Sequence, residues 1–350
     1  MAQHCDVAVV CGRHTGEERL QEAGIRAIPL DLSRSGFNPL TEMRTLRQLW
    51  AIYRREQPDL VHQVTIKPVL YGGLIARLQR LPAVVSAISG LGHVFTTPGP
   101  VARVRRLLVQ SLFRLALAHR CGRVIVQNPE DRLVVHENLG VPLERIHLIR
   151  GSGVDLDAYA TTSEPDGPPV FALIARMLKD KGVGEFIAAA TTLKQRYPDW
   201  RFQLIGTPDP GNPSSMTEAE LKRWQQEGVI EWLGFQSDIP ARLQAAHVIC
   251  LPSYYGEGLP KSLIEAAAAG RAIITTDMPG CREVVRDEVT GLLVPPRDAD
   301  ALCEAMMRLG LDAAFRLRLG VAARRKAEML FSVEDVVHDT FLIYEELLYS

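Results

Sequence analysis

Apolar positions along this chain gather into short runs rich in Val, Ile, Leu and Ala, and the stretches between them carry apolar residues at helical spacing. The runs predict strands at Val7–Cys11, Ile25–Leu30, Leu60–Val64, Ala83–Ile88, Val124–Gln127 and Ile146–Ile149. A second series follows at Val170–Ala175, Phe202–Ile205, Ile230–Leu233, Val248–Leu251, Ala272–Thr275 and Leu292–Val294. Strands alternating with helices from end to end indicate βαβ units, parallel sheets and the α/β class. The two series divide at Ala160–Pro169, a stretch of Thr, Ser, Asp, Gly and three prolines that reads as a linker. The expected organisation is an N-terminal domain over residues 1–160, a C-terminal domain over 161–331, and a closing segment 332–350 whose helix is Val333–Tyr349. A length of 350 residues suits two domains better than one.

Charge and cysteine usage then narrow the function classes. The formal charge of −1 gives no reason to expect nucleic acid as a partner. The six cysteines (5, 11, 121, 250, 281 and 303) show no CxxC pair and no His/Cys metal spacing, and several lie in or beside apolar runs, as reduced core thiols do. No secretory signal opens the sequence and no apolar run reaches the length of a membrane span, so the expected compartment is the cytoplasm. Val101–Arg120 is a basic, apolar helix carrying Arg103, Arg105, Arg106 and Arg114. It suits either the inner face of an anionic membrane or an ordinary sheet-covering position with a basic outer stripe.

The densest chemistry lies between the strand at His247–Leu251 and a helix over Lys261–Ala269 that stops at Gly270. Pro260 suits the first helical position, which leaves the N–H groups of Leu259, Lys261 and Ser262 facing the preceding turn beside the positive end of the helix dipole. Gly258, Leu259, Pro260 and Lys261 thus form a candidate phosphate site. Glu257 and Glu265 bracket it. Carboxylates repel phosphate, so their partners should be hydroxyls on either side of a diphosphate, the layout of a nucleotide-sugar. Charge and spacing alone equally allow a solvated loop glutamate and a surface helix glutamate. Arg176 follows the strand Val170–Ala175 directly, and Lys181 precedes a helix starting near Gly184. Both would sit at the carboxyl edge of a sheet, placed to stabilise a departing diphosphate. The alternative is a surface ion pair among Lys179, Asp180 and Lys181. Asp277, with Pro279 and Gly280 turning beyond it, is a candidate to line the donor pocket. Asp155-Leu156-Asp157 and Asp298-Ala299-Asp300 have D-x-D form without the flanks such a metal motif requires, and Asp298 looks like a helix N-cap.

Glu257-Gly-Leu-Pro-Lys-Ser-Leu-Ile-Glu265-Ala266 resembles the paired-glutamate signature of the retaining family 4 glycosyltransferases, in which seven residues separate the glutamates. The match continues through Gly270–Asp277, Pro279–Glu283 and Gly291–Pro295. The resemblance implies a GT-B fold, two Rossmann-like doubly wound domains facing a central cleft, with the last helix crossing back to the first domain. It also implies retaining, metal-independent transfer of a sugar, with the nucleotide-sugar, expected to be UDP-linked, as co-substrate and no further cofactor. Glu257, Lys181 and Arg176 then take the catalytic roles, and Glu265 binds the donor ribose. Thr65–Gly73 is similar to the subset that elongates polyprenyl-diphosphate-linked or envelope sugars, so a lipid-linked or glycan acceptor is expected, with Lys67 meeting acceptor phosphate or standing as a solvated loop lysine. His93, after Ser89-Gly90-Leu91-Gly92, falls near a cleft histidine of many relatives, though further from its strand. At the N-terminus the chain departs from the family. Val7–Cys11 matches the second strand, with Thr15–Ala23 the helix after it, so that the first strand and helix are lacking; otherwise it is strand one, with Gly12–Gly16 as the substrate loop. Two other readings remain: a non-catalytic nucleotide-sugar-binding relative, and a UDP-sugar epimerase.

Overall fold

The computed structural model describes residues 5–12, 17–32, 39–90 and 100–349. The N-terminal half runs β1 (Ala8–Gly12), α1 (Glu17–Glu22), β2 (Arg26–Leu30), α2 (Pro39–Glu56), β3 (Leu60–Val64), α3 (Ile66–Gln79), β4 (Ala83–Ile88), α4 (Pro100–Leu117), β5 (Gly122–Val126), α5 (Pro129–Leu139) and β6 (Ile146–Leu148). The C-terminal half runs β7 (Val170–Ile174), α6 (Val183–Arg196), β8 (Arg201–Ile205), α7 (Glu218–Gln226), β9 (Glu231–Gly234), α8 (Ile239–Gln244), β10 (Val248–Leu251), α9 (Lys261–Ala268), β11 (Ala272–Thr276), α10 (Pro279–Val284), β12 (Leu292–Val294), α11 (Ala299–Leu311), α12 (Ala313–Leu330) and α13 (Val333–Tyr349). The helix expected at Val101–Arg120 begins at Pro100 and ends at Leu117, and Pro260 caps α9 from outside instead of occupying its first position. Asp298 caps α11 by accepting from the Ala301 N–H.

The C-terminal sheet is wholly parallel in the order β12-β11-β10-β7-β8-β9. Its central strands β7 and β10 are buried at every position, which explains why they read as unbroken apolar runs. Counting from β7, this is the doubly wound order, and the chain changes direction between β7 and β10. Ligands bind at that switch point, outside the carboxyl ends of the two strands.

The N-terminal half holds a parallel sheet β3-β4-β5-β6 and a separate parallel pair β1-β2. Ile28 and Leu30 of β2 share one apolar core with Val61, Val84 and Val124, yet among the described residues no ladder joins β1 to β3.

Two crossings join the halves side by side: the Val154 N–H donates to Phe331 O at 2.8 Å and the Val333 N–H to Val154 O at 3.1 Å. Gly153 permits this closeness, since with φ at +72° a Cβ there would lie 2.5 Å from Val333 Cα. Beyond the second crossing α13 covers the open face of the N-terminal sheet, burying Ile343 among Val85, Ile125 and Ile149. Among the described residues no helix is long and apolar enough to cross a membrane.

Candidate active site

Two loops from the switch point build the site. After β7 the chain passes Arg176 and makes a 3₁₀ turn at Lys179–Lys181 before α6. Gly182 ends that turn at φ +76°, where a Cβ would stand 2.2 Å from Pro252 O, so only glycine lets the turn lie against the exit of β10. The Tyr254 N–H donates to Asp180 O at 3.0 Å and ties the two loops together. The result brings Lys181 to Glu257: Nζ to Oε2 is 2.5 Å, with each side chain only 14% exposed. Ser253 Oγ donates to the other carboxylate oxygen at 2.6 Å. Lys181 therefore pairs with Glu257 and not with its neighbour Asp180. The Lys181 ammonium also lies 5.8 Å from the centre of the Tyr255 ring.

Glu265 sits on the second turn of α9 and is buried, its Oε1 accepting from the Tyr159 hydroxyl at 2.9 Å. Burial pushes its carboxyl above the ordinary range, and the Tyr159 hydrogen bond and the Lys261 charge offset that only in part. A carboxylate held this way has lone pairs available to hydroxyl donors and a reason to recruit them. Arg176 extends outward, more than half exposed, with Nη1 on Asp209 at 2.7 Å.

The N-terminus of α9 differs from expectation. The Leu259 N–H is not free: it donates to Gln127 Oε1 at 2.9 Å, across from the N-terminal half. Gly258 O accepts from Asn128 Nδ2 at 3.2 Å. Lys261 is exposed at the start of the helix. Asp277 does not join the Glu257 network; its exposed carboxylate accepts from Arg282 at 2.8 Å, and Arg282 also bridges to Glu130 of α5. In the N-terminal half Lys67 donates to Glu42 at 2.8 Å, and the Tyr71 hydroxyl donates to the same carboxylate at 2.7 Å. Burial raises the Glu42 carboxyl, but these two bonds outweigh it and hold the group below its usual value. Thr65, immediately before α3, has φ +76°, a strained value for a β-branched residue. His93 lies outside the described residues, as do the side chains of Arg103, Arg105 and Arg106.

The sequence missed Ser253, Tyr159, Gln127 and Asn128. Asn128 had a readable signal: an Asn before Pro129, Glu130 and Asp131 is an N-cap pattern, and its Oδ1 accepts from the Asp131 N–H at 2.7 Å. Gln127 and Tyr159 had none, because their partners lie 132 and 106 positions away.

Asp155 Oδ1 accepts from the N–H groups of Asp157 and Ala158 in a local turn. Among the described residues no three His, Cys, Asp or Glu side chains gather in a metal-binding group.

Two Rossmann-like parallel-sheet domains, with charged loops converging at the switch point of the second, define the GT-B fold. Residues 159–326 match the family model for Glycosyl transferases group 1, and residues 1–128 match that for Glycosyl transferase 4-like. Over 357 residues the chain is 29% identical to the N,N'-diacetylbacillosaminyl-diphospho-undecaprenol alpha-1,3-N-acetylgalactosaminyltransferase of Campylobacter jejuni, covering 98% of this chain and 92% of that one. It is 25% identical to the UDP-Gal:alpha-D-GlcNAc-diphosphoundecaprenol alpha-1,3-galactosyltransferase of Escherichia coli, over 89% and 82% of the two chains. The fold is that of Anabaena HepE, solved in complex with UDP, at a TM-score of 0.76 and 19% identity over 97% of this chain and 92% of HepE. The chain belongs to the group 1 and 4-like glycosyltransferases, and it is a glycosyltransferase.

Proposed function

We propose that this enzyme transfers a hexosyl or N-acetylhexosaminyl group from a UDP-sugar to a saccharide carried on polyprenyl diphosphate, with retention of configuration and without a metal. The observation that carries the reading is the meeting of Lys181 and Glu257, 76 positions apart, at the switch point beside α9. Lys181, with two N–H groups beyond the one given to Glu257, and Arg176 counter the charge that develops on the leaving diphosphate. Glu257 accepts from hydroxyls of the donor sugar, and Glu265 from the ribose diol. The acceptor hydroxyl attacks the anomeric carbon from the leaving-group face; its oxygen forms the new bond as the diphosphate–carbon bond breaks, and its proton passes to the departing diphosphate oxygen.

The names of the Campylobacter and Escherichia relatives support the lipid-linked acceptor, and the latter's supports a UDP donor. Lys67 suits an acceptor phosphate, since it stands in the first turn of α3, just beyond the carboxyl end of β3 and two residues after the strained Thr65. A position on the cytoplasmic face of the membrane suits such an acceptor, and α4 supports it with Leu107, Leu108 and Leu115 exposed.

Paired transfer and UDP-binding measurements on variants test the roles. Glu257→Ala should lower kcat by about 10²-fold or more with little change in UDP affinity. Glu265→Ala should weaken UDP by about tenfold to a hundredfold while keeping kcat at saturating donor. Lys67→Ala should raise only the KM for lipid-linked acceptor. Wild-type behaviour of all three contradicts the assignments. The other reading is a nucleotide-sugar-binding chain without transfer activity. UDP binding with no transfer to any acceptor would select it.

A further inference from the structure

Three glycines, one after β4, one before α9 and one in the first turn of α10, meet around the backbone of Gly258 and its junction with Leu259. Gly90, after β4, has φ +103°, and a Cβ there would lie 2.5 Å from the Gly258 nitrogen. A Cβ on Gly280, in α10, would lie 2.2 Å from Gly258 O, and one on Gly258 itself 2.3 Å from Gln127 Oε1. The backbone is thus enclosed by both halves of the molecule. Its two polar atoms belong to one peptide unit and point in opposite directions, as a trans peptide requires. Gln127 accepts from the N–H at 2.9 Å, and Asn128, its chain neighbour, donates to the carbonyl at 3.2 Å. Asn128 is 1% exposed, and its amide is held in turn by Asp131 Oδ2 at 2.8 Å. A peptide gripped at both ends cannot rotate without breaking both bonds. Arg282, bridging Glu130 and Asp277, and Arg150, on Glu283 at 2.8 Å, brace the same seam.

We propose that Gln127 and Asn128 are positioning residues which, from the N-terminal half, fix the orientation of the 258–259 peptide and so set the direction in which Glu257 is delivered to Ser253 and Lys181. This rests on the donor-site reading given above. Glu257 is the residue immediately before the clamped unit, so rotation of that peptide redirects its backbone and carries the carboxylate away from Lys181. Because the grip comes from the opposite half, the donor loop is in order only while the two halves are apposed. Transfer is thereby coupled to the seating of the acceptor half, and a donor bound to the C-terminal half alone meets an unclamped loop. Neither residue touches the reacting atoms; both act through Glu257.

The test uses Gln127→Met, which keeps length and loses the acceptor, and Asn128→Ser, which keeps a capping oxygen for the Asp131 N–H, adds no charge and no longer reaches the Gly258 carbonyl. Kinetics should show kcat reduced about tenfold or more while the KM for donor and the affinity for UDP stay within about threefold of wild type. A purely structural role would not produce this split. Amide hydrogen exchange over residues 254–262 should be faster in both variants, with exchange in the β7–β8 core unchanged as the control for folding. Wild-type kcat and wild-type exchange in both variants overturn the clamp. Loss of transfer in Glu257→Ala alongside full transfer in Gln127→Met also overturns it and leaves the donor site standing. If wild-type protein neither binds UDP nor transfers sugar, the donor reading fails, and the exchange measurement still decides whether the loop is clamped.

Discussion

Glu265 carries two demands that oppose each other. As a ribose partner it must present a carboxylate, yet it is 8% exposed, and burial raises its affinity for a proton. The sign follows from linkage. A carboxyl whose folded-state pKa lies above its unfolded value binds more protons in the native state, so its contribution to stability is complete below the unfolded pKa and is lost as pH rises through the folded one. Glu265→Gln removes that dependence. The variant should therefore melt higher than wild type at neutral pH, and the difference should shrink as pH falls below the ordinary glutamate value, where the wild-type residue is protonated in both states. Thermal melts across this range check it; a difference that grows toward acid would contradict the burial argument. Glu42 has the opposite sign, since Lys67 and Tyr71 hold its carboxyl low and its contribution is lost as pH falls. It must be kept apart from Glu265 when the wild-type profile is read. Lys181 and Glu257 show the same tension between stability and use. A nearly buried ion pair is weak evidence for stability, and its place at the switch point instead suits a pair that a diphosphate and a sugar hydroxyl will share.

Among the elements, α4 bears most directly on where the enzyme works. Its buried side includes Phe113, Ala116 and Leu117, while Leu107, Leu108 and Leu115 face solvent. Arg77 of α3 donates to Leu115 O at 3.1 Å, which sets the exposed Leu78 and a cation beside that apolar edge. Replacing Leu107 and Leu108 together with Asp should lower binding to vesicles containing anionic lipid by at least about tenfold, since losing only two buried methylenes at roughly 0.8 kcal/mol each is enough for that, and leave UDP binding unchanged. Flotation measures it, and equal flotation of variant and wild type would remove α4 from the membrane. The strands were legible before the fold was known, because β7 and β10 are covered on both faces and so had to be apolar throughout. The Glu257 loop was legible for another reason, since Gly258, Pro260 and the paired glutamates are close in sequence. Its surroundings were not. Gln127 follows the end of β5 in a position that any polar residue could fill, and Tyr159 lies in irregular chain; only the fold brings them to Leu259 and Glu265. Leu259 shows the limit in the other direction: local pattern marked its N–H as free, and a carboxamide 132 positions away takes it.

On the scale of the whole molecule, the halves are joined by two adjacent crossings and by α13, whose Glu346 accepts from Arg123 at 3.1 Å and whose Tyr344 meets His62 Nδ1 at 2.5 Å. The connections keep the start of α3, with Lys67, and the Glu257 loop on one molecule while leaving them beside separate sheets, the arrangement a two-substrate transfer needs. The measurement that bears most directly on the proposed activity is transfer from a panel of labelled UDP-sugars to a polyprenyl-diphosphate-linked monosaccharide, with EDTA present. The expected result is one productive donor, a product with the donor's anomeric configuration, no effect of EDTA, and loss of product in Glu257→Ala. An inverted linkage, a requirement for metal, or UDP binding without product from any donor and acceptor would contradict it.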